Sequence, residues 1–247
     1  MTKFSQWLRS FAFTVVFYAL TLIMSVVFLP TLLLPRKYAL TFPILWTKLT
    51  PVLLSLFCGI KINFKGLENL PKENGYIIAC KHQSAMETLL FHAIIPNTFY
   101  VLKRELVFIP IAGLYAPKTG CVAIDRKGGA KTMRKMFAAV KKNLDKGMNL
   151  IIFPEGTRTK PGQKIPYSPG VALLYEQCNA PVVPVALNTG YCWPKNQMRK
   201  ISGTVTIEFL PPMPAGLHRR TFLNELQECI ENATDKLPHP YRKDKEC

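Results

Sequence analysis

His82 and Glu87, two residues whose side chains can move a proton, stand five apart in the stretch IIACKHQSAMETLL, Ile77–Leu90. An imidazole serves as a general base near neutral pH, and a carboxylate beside it fixes its tautomer and stabilises its protonated form. On a continuous helix five steps of ~100° leave two residues about 140° apart. The pair therefore meets only if His82 lies in a loop and Glu87 in the first helical turn. A second reading needs no chemistry. Ser84-x-x-Glu87 has the spacing of a capping box, which makes Glu87 a helix cap and His82 an ordinary loop residue. These residues alone leave both readings open.

FPEGTR, residues 153–158, ends the apolar run NLIIF. Pro154 and Gly156 impose a tight exit from that run. Glu155 and Arg158 then fall at the carboxyl end of a strand, with Gly156 and Thr157 adding backbone and hydroxyl donors. A guanidinium beside backbone N–H groups suits a phosphate; a surface turn with a salt-bridged Arg is the plainer alternative. LKRELVFIPIAG (102–113) and TGCVAIDR (119–126) add Lys103, Arg104 and Arg126 beside apolar strand material. APVVPVAL (180–187) reads as an apolar core strand broken by Pro184.

These segments need a scaffold, and the rest of the chain supplies one. Short runs rich in β-branched and aromatic residues recur at 61–64, 76–80, 98–102, 121–124, 149–153 and 182–187. Residues 203–210 alternate like a partly exposed strand. Helical patterns lie between them, at Ser84–Ala93, Ala130–Lys146, Pro169–Gln177 and Arg219–Lys236. Strands alternating with helices predict an α/β layer sandwich over residues 61–240. His82 follows a predicted buried strand, where loops of open α/β sheets carry function.

Residues 1–60 have a different texture. No Asp or Glu precedes Glu68, and Phe11–Leu34 carries no charge at all. As a helix this run reaches roughly 36 Å, enough to cross a ~30 Å hydrocarbon layer with tilt. Pro30 is expected to bend or end it. A signal peptide is disfavoured by the length of the run and by the absence of a small-residue cleavage site. Tyr38–Ile60 contains Pro43, Lys48 and Pro51, and Thr41, Lys48 and Ser55 share one helical face. That pattern predicts a helix lying in the interface, or a hairpin dipping into one leaflet. Arg36 and Lys37 argue against placing the junction between the two segments on the far side of a membrane.

The 247 residues carry a net charge of +17 together with a positive mean hydropathy of +0.12. A basic and apolar chain points to an anionic membrane surface or a phosphorylated substrate. Nucleic acid is disfavoured, because no nucleic-acid-binding motif is present and the 24-residue segment Phe11–Leu34 is uncharged and apolar. The seven cysteines show no CxxC and no zinc spacing. They read as reduced thiols, hence a domain facing the cytoplasm. A basic helix with Lys131, Arg134, Lys135, Lys141, Lys142 and Lys146 suits lipid head groups, CoA phosphates or an acidic carrier protein, or is a solvated face.

The motifs occur in a definite order: His-x4-acid, then Lys/Arg…Pro…Gly…Asp-Arg, then FPEGTR, then Val-x-Pro-Val. In this the chain resembles the glycerophospholipid acyltransferases, specifically the bacterial 1-acyl-glycerol-3-phosphate acyltransferases, over about residues 61–210 and in its apolar N-terminus. The family pattern usually has Asp at the acidic position, often after Asn-His; here Lys81-His82 is followed by Glu87. Glu is one methylene longer, so the helix bearing it must sit slightly farther back or tilt.

The resemblance implies a mixed-sheet α/β layer sandwich of the glycerol-3-phosphate acyltransferase type behind an N-terminal membrane-associated helical segment. It implies His82 as general base, oriented by Glu87, acting on the sn-2 hydroxyl of lysophosphatidic acid. The acyl donor would be acyl-CoA or acyl-carrier protein, with no cofactor and no metal. Glu155, Gly156, Thr157 and Arg158 would hold the glycerol phosphate, with Lys103 and Arg126 contributing charge. The expected location is the inner membrane, with the catalytic domain on its cytoplasmic face among anionic lipids. Another lyso-lipid acceptor, an inactive membrane scaffold of the same fold and a basic nucleic-acid-binding protein are the alternatives.

Overall fold

A computed structural model describes residues 2–125 and 128–241. Each of the seven apolar runs forms a strand: β1 Ile60–Lys65, β2 Ile77–Cys80, β3 Thr98–Lys103, β4 Val122–Ile124, β5 Asn149–Ile152, β6 Val182–Leu187 and β7 Gly203–Phe209. They make one sheet in the order β1-β7-β6-β2-β5-β3-β4. β6, β2, β5, β3 and β4 run parallel, whereas β7 is antiparallel to β6 and carries β1 parallel to itself. The four residues of β2 are all buried, as expected of a strand covered on both faces. The break expected at Pro184 does not occur. β6 passes straight through it, with Pro184 in register with Ala79 and its carbonyl accepting from Leu210 N at 2.9 Å.

The helices are α1 Lys3–Val27, α2 Arg36–Ala39, α3 Thr41–Leu53, α4 Ala112–Lys118, α5 Gly129–Leu144, α6 Pro169–Cys178, α7 Thr189–Cys192 and α8 Arg219–Lys236. α3 continues through one π turn, Leu54–Cys58. The helix expected over Ser84–Ala93 is replaced by two 3-10 turns, Glu87–Leu89 and Phe91–Ala93. Local side-chain bonds compete with the helical ladder there: Met86 N donates to Ser84 Oγ at 3.1 Å, and Thr88 Oγ1 donates to Ala85 O at 2.7 Å.

Strand alternation divides the core into two layers. Ile78, Cys80, Val183 and Val185 face Phe13 and Phe17 of α1 and Leu54 after α3. Ile77, Ala79 and Val182 face Phe137, Leu174 and Phe222 of α5, α6 and α8. The N-terminal hairpin thus covers one face of the sheet and α5, α6 and α8 cover the other.

The hairpin is fastened along its length. Lys200 N donates to Ser10 Oγ at 2.8 Å, Tyr115 Oη to Ser25 O at 2.9 Å, and Arg36 Nε to Thr119 O at 3.0 Å. Arg36 therefore holds the junction between the two apolar segments against the sheet domain. The outward side of α1 carries Phe4, Leu8, Phe11, Val15, Tyr18, Leu22 and Val26, all exposed. Their spacing of three and four residues makes a continuous apolar stripe on the side where a water-soluble helix is polar. Leu33, at 90 % exposure, caps the hairpin turn. Thr41, Lys48 and Ser55 share the outward side of α3 and the π turn that continues it, as their spacing requires. Both α1 and the Arg36–Cys58 segment are long and apolar enough to cross a membrane by length and composition.

Because Leu8, Val15 and Leu22 point away from the protein, changing all three to Gln should leave the melting temperature nearly unchanged. Each buried Leu contributes ~1.5–3 kcal/mol, so lipid binding should fall at least ~10-fold in a vesicle sedimentation assay. Undiminished binding would show that the stripe does not contact lipid.

Candidate active site

β2 and β5 are adjacent and parallel, so the loops that leave their carboxyl ends emerge side by side. The loop after β5 clamps the loop after β2. His82 N donates to Glu155 Oε2 at 2.6 Å. His82 O accepts from Thr159 N at 2.8 Å and from Thr159 Oγ1 at 3.1 Å. With both backbone groups held, the imidazole lies on the Phe153 ring, 4.0 Å between centroids and 19° from parallel. Gly156 leaves the FPEG turn at φ +64°, a conformation that L side chains rarely adopt.

Glu87 approaches from the first 3-10 turn. Its Oε1 lies 2.9 Å from His82 Nδ1 and also accepts from Gln83 N and Ser84 N, both at 2.7 Å. Its Oε2 accepts from Thr189 Oγ1 at 2.8 Å. The carboxylate is fully buried, whereas the imidazole keeps 16 % exposure. One oxygen thus binds the Ser84 N–H, as a cap would, and the imidazole, as the chemical reading requires, together. The neighbouring α7 comes close because residue 190 is glycine. A Cβ there would stand 2.9 Å from Gln83 Cβ, and Gly190 N donates to Gln83 Oε1 at 3.2 Å.

His82 Nδ1 is taken by Glu87, and Nε2 has no partner among the described residues. The ring lines a cavity of about 1150 Å³. Apolar walls come from both core layers, including Phe42, Trp46 and Leu89 on one side and Met133, Met136 and Leu174 on the other. His92 also lines it, but burial and then the Arg36 charge push its pKa down to about 4, and its ring meets Tyr100 edge-on. Of these two imidazoles, His82 is the one paired with a carboxylate.

Lys103, Thr157, Arg158 and Lys195 also line the cavity. Arg158 Nη2 donates to Asn196 Oδ1 at 3.4 Å, and Lys195 Nζ donates to Arg158 O at 2.7 Å. No carboxylate pairs with Lys103, Arg158 or Lys195 among the described residues. The salt-bridged turn is thus not what forms, and the cavity wall carries three cations without counter-charges. Lys195 has no signal in the local sequence; it arrives from the segment after α7. Arg126 lies outside the described residues.

Glu155 departs from expectation. Its carboxylate is buried behind His82 and accepts from Lys81 Nζ, Thr159 Oγ1 and His82 N. A phosphate would repel it, and its hydrogen bonds are made inside the protein; its place in the site is to hold the His82 backbone. Lys81, Thr159 and Thr189, none of them singled out by sequence, complete this inner layer. Among the described residues no cluster of three or more His, Cys, Asp or Glu side chains is arranged to hold a metal.

A carboxylate-paired imidazole facing an apolar cavity with cations in its wall suits transfer of an apolar acyl group to an anionic acceptor. The acyltransferase family model matches residues 61–188, and the chain belongs to that family. A 1-acyl-sn-glycerol-3-phosphate acyltransferase of Pseudomonas aeruginosa is 35 % identical over 170 residues, 69 % of this chain and 66 % of that protein. The human 1-acyl-sn-glycerol-3-phosphate acyltransferase alpha is 30 % identical over 160 residues, 63 % of this chain and 56 % of that protein. The chain thus spans about two thirds or less of the length of these curated relatives. The crystal structure of the 1-acyl-sn-glycerophosphate (LPA) acyltransferase PlsC from Thermotoga maritima superposes with a TM-score of 0.80 at 22 % identity. That match covers 96 % of this chain and 99 % of the other, and it shows a shared fold.

Proposed function

We propose that the protein transfers an acyl chain to the sn-2 hydroxyl of 1-acyl-glycerol-3-phosphate, giving phosphatidic acid, at a membrane surface. The observation that carries this reading is the His82 Nδ1–Glu87 Oε1 contact of 2.9 Å, which leaves Nε2 toward the cavity. Nε2 takes the hydroxyl proton as the oxygen attacks the thioester carbonyl of acyl-CoA or acyl-carrier protein. The new C–O bond forms, the C–S bond breaks, and the imidazolium returns the proton to the departing sulfur. Glu87 stabilises the imidazolium meanwhile. Arg158, Lys195, Lys103 and the Thr157 hydroxyl are assigned to the acceptor phosphate, and the apolar walls to acyl chains. The Gly156 N–H, expected to join them, donates to Phe153 O at 2.9 Å; Gly156 shapes the turn instead. No residue of the protein needs to be acylated on this route.

The apolar stripe of α1 seats the hairpin in one leaflet and holds the cavity near the plane where a lyso-lipid resides. The catalytic domain is assigned to the cytoplasmic face of the inner membrane.

The test is an initial-rate assay of purified protein in anionic vesicles, with lysophosphatidic acid and monoacylglycerol as rival acceptors and the two donors offered separately. Phosphatidic acid should form, and monoacylglycerol, which lacks the phosphate, should be a poor acceptor. Equal use of both acceptors would remove the phosphate assignment.

Arg158→Lys keeps the charge and loses the planar fork. The expected result is a KM for lysophosphatidic acid raised by about 10-fold, with the donor KM within about twofold. Equal rises for both substrates would make Arg158 a shared or structural residue.

A further inference from the structure

We propose that Lys81 is a positioning residue for His82, acting through Glu155 and anchored by Glu231 on α8. The proposal rests on the reading of His82 as the base. Alternation along β2 sends Ile77 and Ala79 to the layer under α8 and Ile78 and Cys80 to the opposite layer. Continued by one residue, the same alternation points Lys81 beneath α8, while the next side chain, His82, turns to the cavity. Lys81 does not line that cavity, so it is no nucleophile and no phosphate ligand.

Its surroundings are closed. Lys81 is 1 % exposed. Nζ stands 2.8 Å from Glu155 Oε1 and 2.6 Å from Glu231 Oε1, with Gln163 O at 3.4 Å. Tyr167 Oη donates to Glu231 Oε1 at 3.1 Å. One cation thus bridges two buried carboxylates, one of which holds the His82 N–H. Burial raises the Glu155 carboxyl above the ordinary carboxylate range, and Lys81 opposes that rise more strongly than any other partner. Without Lys81, two buried carboxylates would face each other with no cation between them, which costs far more than a lost surface pair. Glu155 would then protonate or turn away from the His82 backbone. Glu231, 150 residues further along the chain, fixes where the Lys81 ammonium sits.

The experiment compares Lys81→Met, Glu231→Gln and the double variant Lys81→Met/Glu231→Leu with the full-length wild type in vesicles. Lys81→Met should lower kcat by roughly 30-fold or more, leave both KM values within about threefold and lower the Tm. Glu231→Gln, which keeps an acceptor for Lys81, should lose less than about fivefold in kcat. The double variant decides between roles, and it remains informative if Lys81→Met alone does not fold. It removes the carboxylate stranded on α8, so Tm should recover while kcat stays low, because Glu155 still lacks its cation. A purely structural strut would regain turnover together with Tm, and that result overturns the proposal.

A second measurement needs no substrate. In protein labelled with ¹⁵N-histidine, the His82 amide and ring signals, assigned with His82→Ala, should move in the double variant. Unmoved signals would also overturn the proposal. If the wild type fails to acylate lysophosphatidic acid, the acceptor assignment fails, while these signals still test the Lys81 link by themselves.

Discussion

His82→Ala should leave a folded, membrane-bound protein whose turnover is lower by about 10²–10⁴-fold, the usual contribution of a positioned general base. The structure explains why the fold should survive. Glu87 keeps the Gln83 and Ser84 N–H groups and the Thr189 hydroxyl as donors, and the backbone of residue 82 remains held by Glu155 and Thr159. The cavity loses one partly exposed ring and its stacking on Phe153. Substrate KM values should therefore change little, and the loss should fall on kcat. Initial rates beside thermal melts measure both. Activity within tenfold of wild type would falsify the assignment of His82 as the base.

Glu87→Gln should separate holding the loop from stabilising charge. The amide oxygen can occupy the Oε1 position and accept from His82 Nδ1, Gln83 N and Ser84 N, as the carboxylate does. The amide nitrogen then faces Thr189 Oγ1, which can rotate to accept. Tautomer and loop survive, so the loss should be smaller than the ~10⁴ seen where an amide imposes the wrong tautomer on a catalytic histidine. We expect kcat lower by on the order of 10²–10³, with little change in Tm. Glu87→Asp should retain part of the activity, because the shorter arm cannot reach all its donors from this backbone. Glu87→Ala should cost stability too, since it strands two buried N–H groups at ~1–3 kcal/mol each. Near-wild-type turnover in Glu87→Gln would leave Glu87 as a cap alone.

Periodicity made much of this molecule readable before folding. The strands stand where apolar runs occur, and α5, α6 and α8 begin and end within two residues of their patterns. The His82–Glu87 contact was also legible, because helical geometry requires one of the two to leave the helix. Residues 84–93 misled because their apolar spacing is helical while Ser84 and Thr88 bind the local backbone instead. The inner layer of the site was hidden for a different reason. Thr189 reaches Glu87 across 102 positions and Glu231 reaches Lys81 across 150. No local pattern carries information over such separations. Glu155 misled in another way: its motif was visible, but the direction of its carboxylate depends on Lys81, a buried cation that the sequence presents as an ordinary polar residue.

The bond between Ser10 and Lys200 spans 190 positions, and β1 finds its partner only in β7. During synthesis the hairpin therefore emerges long before the surface it will rest on exists. At ~5–20 residues per second the wait is roughly 10–40 seconds. Throughout that interval the outer stripe of α1 is bare, and Phe13 and Phe17 have only α3 and the turn after it to pack on, not the sheet. A bilayer would shelter both, and on the proposed function we expect membrane insertion to precede completion of the sheet. Ribosome-bound chains halted before residue 200 should already float with membranes.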